Sequence, residues 1–231
     1  PGLREKVYGF APALTLAALL RKYYNAIGDG KKTRVIVVAP AEVETDEEVL
    51  VLTTREAAVM LQSAGINVRM LKSSGADVPF VKYSGAGVLP AVSGGLSEAF
   101  VRYLLPEKAE EQFKKLEYSG LRGRKNFREA KIIAGGETLS IAVACGEEGV
   151  EALAAKIAEG KAYDFAEVSA CAGGCVAENG QPFADEMTEK LRAEGIYRLD
   201  RHCDMKSADQ NDAVAWLESL AAAEPVPEPA E

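Results

Sequence analysis

Residues 167–182 read Glu167-Val168-Ser169-Ala170-Cys171-Ala172-Gly173-Gly174-Cys175-Val176-Ala177-Glu178-Asn179-Gly180-Gln181-Pro182. Three signs meet here: the end of an apolar run, a glycine-rich turn, and a proline where a helix can begin. Asp164–Ala170 reads as a buried strand, and the residues from about Pro182 to Glu194 read as the helix that follows. Working back toward the N-terminus, 147–159 reads as a helix. Leu139–Ala144 and Ala130–Ala134 read as strands separated by a Gly-Gly turn. Strands that alternate with helices point to a parallel α/β architecture.

The first half has the same grammar. Residues 11–26 have the spacing of an amphipathic helix ending at Gly28. Thr33–Ala39 (Thr-Arg-Val-Ile-Val-Val-Ala) is a continuous β-branched run, the pattern of a strand buried on both faces. Val49–Leu52 is a short apolar step. Thr53 then caps a helix that runs to Gly65, with Glu56 three residues on completing a capping box. Residues 84–95 are glycine-rich, and Leu96–Leu105 reads as a helix stopped by Pro106. A last helix is expected over Asp212–Ala222. The expected fold class is α/β: two lobes with mainly parallel sheets flanked by helices. Residues 1–106 form the first lobe, incomplete at its N-terminus, and 107–129 a charged, lysine-rich junction. Residues 130–222 form the second lobe, and 223–231 a disordered tail.

Bulk composition narrows the partners. At 231 residues, with 48% hydrophobic and 27% charged residues, the chain can bury a sizeable core as a globular protein. A net charge of -8 argues against nucleic acid as a partner. No apolar run approaches the roughly 20 residues that span a bilayer, and no secretory signal pattern is visible. Four cysteines, two of them clustered, suit cofactor chemistry in a reducing, cytoplasmic setting better than a disulfide framework. The chain starts at Pro1 without an initiator Met, which reads as processing, trimming or a fragment.

Thiolates on a glycine-rich turn are how proteins hold iron–sulfur clusters. Gly173 and Gly174 would let the backbone approach such a core closely, with N–H groups toward its sulfurs. C-x-x-x-C alone leaves two readings open, cluster ligands or two small buried thiols in a tight turn. A helix opening at Gln181-Pro182 would turn its positive N-terminus toward an anionic cluster. A 4Fe-4S cluster usually takes four thiolates, and Cys145 and Cys203 are the internal candidates for the rest. Each also reads as a small core residue, and His202, the single histidine, reads as a surface residue. Ser84-Gly85-Ala86-Gly87 and Ser93-Gly94-Gly95 form a second glycine-dense segment, either a phosphate-cradling loop or a tight connection. The chain has no G-x-x-x-x-G-K-S/T, so a nucleotide-hydrolase reading lacks its lysine.

Several of these pieces together resemble the catalytic domain of the iron-only (FeFe) hydrogenases. Val51-Leu52-Thr53-Thr54-Arg55-Glu56 is similar to that family's V-L-T-T-R-E segment. Ser84-Gly85-Ala86-Gly87, with Ser93-Gly94-Gly95 and Glu98-Ala99, is similar to its S-G-A-G and T-G-G-V-x-E-A run. Tyr163-Asp164-Phe165, Glu167-Val168 and Cys171 through Gln181-Pro182 resemble its last cysteine motif, A-C-P-G-G-C-x-x-G-G-G-Q-P. Met205-Lys206-Ser207 and Asn211 resemble the run that closes such domains. The resemblance covers roughly residues 10–222 in the family's order.

It implies two α/β lobes around the H-cluster, a 4Fe-4S cubane bridged through a cysteine to a di-iron centre that interconverts protons and dihydrogen. By the same resemblance Cys171 is a cubane ligand, Cys175 the bridging ligand, and Gly173, Gly174, Gln181, Ser84 and Gly85 surround the cofactor. The departures point elsewhere. The family's first cysteine motif, T-S-C-C-P, is absent. Its second, M-P-C-x-x-K, aligns with Ala39-Pro40-Ala41-Glu42-Val43-Glu44, so Ala41 replaces a ligand and Glu44 a lysine that binds a di-iron cyanide. Ser169, Ala172, Glu178-Asn179 and Pro90 replace further pocket residues. The expectation is a diverged domain with dihydrogen catalysis lost or impaired. It retains at most a 4Fe-4S-type site at Cys171 and Cys175, without the di-iron unit, and serves a ferredoxin-like redox partner. The alternatives are an active hydrogenase fragment completed by upstream residues, and an apo scaffold that binds a partner.

Overall fold

The computed structural model describes residues 21, 35–39, 49–74, 82–105, 110–134, 136–178, 180–212, 214, 216 and 219. Strands β1 (Val35–Ala39) and β2 (Val49–Thr53) pair in parallel, with Val37 opposite Val51. β3 (Phe127–Ala134), β4 (Glu137–Cys145) and β5 (Phe165–Ser169) form a second sheet with β4 in the middle. The β4–β5 pairing is parallel and β3–β4 is antiparallel. The helices are α1 (Thr54–Ser63), α2 (Gly85–Val88), α3 (Gly95–Leu104), α4 (Glu110–Glu117), α5 (Gly146–Ala158) and α6 (Glu186–His202). This is the mixed α/β class expected. The antiparallel pair follows from the tight connection at Gly136, whose φ of 84° suits a hairpin.

The core is built around β4. Leu139, Ile141, Val143 and Cys145 face α3 and α4, where they meet Phe100, Val101, Leu104, Phe113 and Leu116. Ala142 and Ala144, on the opposite face, meet Leu153 of α5. A strand covered on both sides has no use for polar alternation, which is why Leu139–Cys145 is apolar or small throughout except Ser140. Each fully buried Ile or Val contributes roughly 1.5–3 kcal/mol through burial. Phe100 stacks on Phe165 of β5 with ring centroids 4.2 Å apart, tying α3 to the sheet. The buried cluster thus runs through the charged 107–129 segment, where α4 supplies Phe113 and Leu116 and the following loop Leu121.

Two strands differ from their sequence expectation. β1 is not buried on both faces: Ile36 is 57% and Val38 54% exposed, with β2 and α1 the described elements that pack most closely on it. In β5 the buried side chain is Glu167, and Val168 is 58% exposed. At α1 the expectation holds in detail. Thr53 Oγ1 accepts the Glu56 N–H at 3.1 Å, and the Glu56 carboxylate accepts the Thr53 N–H at 2.8 Å. Of the expected helix over 11–26 only Arg21 is described, and it is helical; the tail at 223–231, and Ala41 and Glu44, lie outside the described residues. Of the expected last helix, Asp212, Val214, Trp216 and Ser219 are described, and all are helical. No helix among the described residues is long and apolar enough to cross a membrane.

Candidate functional site

The parallel register sets Cys145 opposite Ser169, so β4 and β5 end side by side. Chain leaving the carboxyl ends of adjacent parallel strands is where α/β proteins place ligand sites. The cysteine turn leaves β5 at that point. Ser169 Oγ accepts the Cys171 N–H at 3.3 Å, and the Cys171 carbonyl accepts the Gly174 N–H at 3.3 Å. Gly174 has φ 78°, and a Cβ there would lie 2.6 Å from the Ser93 backbone nitrogen. Only glycine meets both demands, and the close approach joins the two glycine-dense segments of the sequence. A Cβ at Gly173 would lie 2.6 Å from the Ala177 Cβ, so this glycine lets the turn close on itself.

Cys175 begins a short 3-10 turn, Cys175–Ala177. Its carbonyl accepts the Glu178 N–H and the Gln181 side-chain amide, each at 3.3 Å. Cys171 and Cys175 are both free and half-buried. Burial pushes the Cys175 thiol above its ordinary range, and the Glu167 carboxylate adds to the shift. Glu167 is itself buried: Oε1 accepts the Gly94 N–H at 2.7 Å, and Oε2 accepts the Ser97 N–H at 2.8 Å and its hydroxyl at 2.9 Å. It pins the start of α3 to β5, beside the turn.

Ser84 and Gly85 sit elsewhere. Ser84 caps α2 by accepting the Gly87 N–H at 3.1 Å. Gly85 donates to the Met205 carbonyl at 2.8 Å, and a Cβ on it would lie 2.0 Å from Asp200 Oδ1. That absence of a side chain makes room for a buried charge cluster. Arg102 donates to both Asp200 oxygens, at 2.6 and 2.9 Å, and to Glu98 at 2.6 Å. Arg122 donates to Glu98 at 2.7 and 2.9 Å and to Asp200 at 3.1 Å, and its guanidinium lies 4.5 Å over the Tyr197 ring. Burial alone would raise the Asp200 carboxyl, but Arg102, then Arg122 and Lys206, hold it below the usual carboxylate range.

Behind the cysteine turn lies a cleft of about 310 Å³. Gly173, Val176 and Ala177 form one wall, Arg122 and Arg124 another, and Lys190 and Tyr197 of α6 a third. Neither cysteine lines it. The wall from α6 departs from expectation, since that helix begins at Glu186 rather than at Pro182. Asp185 caps it, accepting the Thr188 N–H at 2.8 Å, and Glu186 and Glu189 occupy its first turn. Its positive end is thus satisfied by carboxylates of the chain itself.

The remaining cysteines do not join the pair. Cys145 is fully buried, with Sγ 2.9 Å from Ser93 Oγ, which also accepts from Arg128 at 2.8 Å. Cys203 is buried as the C-cap of α6, and His202, expected at the surface, turns Nδ1 to the Arg198 carbonyl at 2.7 Å. Among the described residues no three His, Cys, Asp or Glu side chains group so as to hold a metal ion. Sequence reading missed Arg122 and Tyr197, whose roles depend on contacts that no local pattern announces.

With this geometry the chain belongs to the family of the iron-only hydrogenase large subunit, C-terminal domain, whose family model matches residues 9–178. The chain is 32% identical over 174 residues to iron hydrogenase 1 of Clostridium pasteurianum, covering 72% of this chain and 30% of that protein. It is 28% identical over 193 residues to the zebrafish (Danio rerio) cytosolic Fe-S cluster assembly factor narfl, covering 78% of this chain and 46% of that one. Among solved structures, the FeFe-hydrogenase HydA(deltaEFG), described for stepwise H-cluster assembly, superposes with a TM-score of 0.68 at 25% identity. That match covers 94% of this chain and 66% of the hydrogenase. The chain therefore spans about a third of the curated hydrogenase and about two thirds of the solved one.

The H-cluster named for that structure can be held against the residues present. Cys171 and Cys175 fit as two thiolate ligands on a turn that glycines allow to close. They are half of the four that a cubane takes, and no third donor stands with them among the described residues. The family supports an iron–sulfur cofactor in general, and the donors among the described residues support only the cysteine-turn half of one.

Proposed function

We propose that this chain is a hydrogenase-type domain diverged away from dihydrogen catalysis, acting as an iron–sulfur redox-sensing or electron-transfer module. The observation that carries this reading is the pair of free, half-buried thiols on a glycine turn, with the second-motif cysteine replaced by Ala41. Cys171 and Cys175 supply two ligands, and the others come from residues outside the described ones or from a partner. When bound, such a cluster supplies one-electron redox chemistry. This chain's residues orient the thiols, through Ser169 and Gln181, and bury one face of the turn against Val92–Ser93. Four free cysteines suit a reducing, cytoplasmic setting, and the partner in this reading is a ferredoxin-like redox protein or domain.

The test is iron and sulfide content with low-temperature EPR, after anaerobic reconstitution of the full-length protein beside a Cys171→Ser/Cys175→Ser variant. The expected result is a reducible cluster signal in the parent, its loss in the variant, and no dihydrogen evolution from reduced mediator. Background iron in both proteins would overturn the cluster, and sustained dihydrogen evolution would overturn the loss of catalysis.

A further inference from the structure

The twelve residues from Cys171 to Pro182 include Gly173, Gly174 and Gly180, a composition that leaves the free backbone many conformations. Two arginines from different elements remove that freedom. Arg192 of α6 donates Nη1 to the Val176 carbonyl at 3.1 Å and Nη2 to the Pro182 carbonyl at 2.8 Å. Arg55 of α1 donates Nε and Nη2 to the Gln181 carbonyl, at 3.2 and 2.9 Å, and its backbone N–H donates to the Gly180 carbonyl at 2.8 Å.

All four carbonyls lie beyond Cys175. A trans peptide is planar, so a carbonyl held on one side fixes the next N–H on the other. With the Val176 carbonyl held by Arg192, the Ala177 N–H points back to the Gly174 carbonyl at 3.0 Å. With the Gly180 carbonyl held by Arg55, the Gln181 N–H points back to the Glu178 carbonyl at 3.0 Å. The Gln181 side chain, thus placed, reaches the Cys175 carbonyl. Each guanidinium contact is a charge-assisted bond, stronger than the neutral bonds inside the loop.

We infer that Arg192 and Arg55 are positioning residues for the Cys171–Cys175 pair, holding the turn in its metal-binding shape before metal arrives. Arg192 braces the turn from α6. Arg55 ties it to the β1–β2–α1 unit, so a change in the turn's geometry is felt at the start of α1. The inference rests on reading the two thiols as metal ligands.

The test titrates Cd²⁺ into the reduced full-length protein and follows thiolate-to-cadmium charge-transfer absorption in the ultraviolet. Arg192→Met and Arg55→Met keep chain length and remove the guanidinium donors, leaving the Arg55 backbone N–H on the Gly180 carbonyl, while Arg192→Lys keeps the charge and one donor. Loss of a residue that orients a ligand typically costs about 10–100-fold in metal affinity. The expected result is a loss of that size in each Met variant, partly recovered in Arg192→Lys, with far-UV circular dichroism unchanged. Parental affinity in both Met variants, where the parent shows the absorption and Cys171→Ser/Cys175→Ser abolishes it, overturns the positioning role alone. No thiolate absorption in the parent overturns the metal-ligand reading, and the inference with it. Where Arg192→Met fails to fold, Arg55→Met and Arg192→Lys decide, and parental affinity in both overturns the inference.

Discussion

Gly174 shows how much one position can carry. Its φ of 78° is costly for any residue with a Cβ, and that Cβ would also meet the Ser93 backbone. Gly174→Ala is expected to lower stability by about 1–3 kcal/mol, the usual cost of a strained backbone, as measured by chemical denaturation. A variant as stable as the parent would mean that the turn relaxes away from Val92–Ser93. Cys175, one residue on, has its thiol raised by burial and by Glu167, so the protonated form dominates near neutrality. Its alkylation by iodoacetamide, followed by peptide mass spectrometry, is expected to reach half its limiting rate at a pH above that of an unhindered thiol. Glu167 is buried with three donors on its two oxygens. Glu167→Gln replaces one of those acceptors by a donor. Urea denaturation should show a loss of about 1–3 kcal/mol, the cost of leaving a buried polar group unsatisfied.

Among the elements, α3, α6 and the loop at Arg122 are lashed together by a buried charge cluster. Glu98, Arg102 and Asp200 are almost fully buried, and with Arg122 they make two charges of each sign. Such a cluster adds little over a well-packed apolar equivalent, but removing one member leaves a buried charge without its partner. Asp200→Ala is therefore expected to cost about 3–5 kcal/mol, read from the denaturation midpoint. Because the Asp200 pKa is depressed in the folded chain, its contribution is present above the ordinary carboxylate range. It is lost as pH falls through the depressed value. The parent should lose stability steeply at that acid limb, and Asp200→Asn should flatten it. β1 and β4 make a second contrast at this scale. Both are apolar runs, yet β4 is covered by α3, α4 and α5, while β1 leaves Ile36 and Val38 half in the open. A run of apolar residues reports that a strand forms, whereas the number of layers laid over it depends on distant chain.

At the scale of the whole molecule, the α/β class, the two strands flanking the Gly-Gly turn, the capping box at Thr53 and the cysteine turn after β5 were all legible in the chain, whereas the antiparallel sense of β3–β4 was not. Each depends on residues a few positions apart, whose periodicity, turn chemistry or cap is local. The ends of elements were less so: α6 starts at Glu186 because Asp185, rather than Pro182, captures the first free N–H groups. Of the candidate site, Cys171, Cys175, Gly173, Gly174 and Gln181 come together, as their closeness in the chain suggested. Ser84 caps α2, and Gly85 makes room for the Asp200 cluster, a use of this glycine that depends on residues more than a hundred positions away. Composition and spacing, by themselves, determined which segments become strand, helix and turn, and that two thiols share one turn. Tertiary structure decided what those thiols meet. Arg55 reaches Gln181 across 126 residues, Cys145 is hidden behind Ser93, and no third donor stands at the pair among the described residues. The reason is physical: periodicity and capping need only neighbours in the chain, whereas hydrogen bonds and metal ligation need atoms within about 3 Å. Only the folded chain sets distances between remote residues.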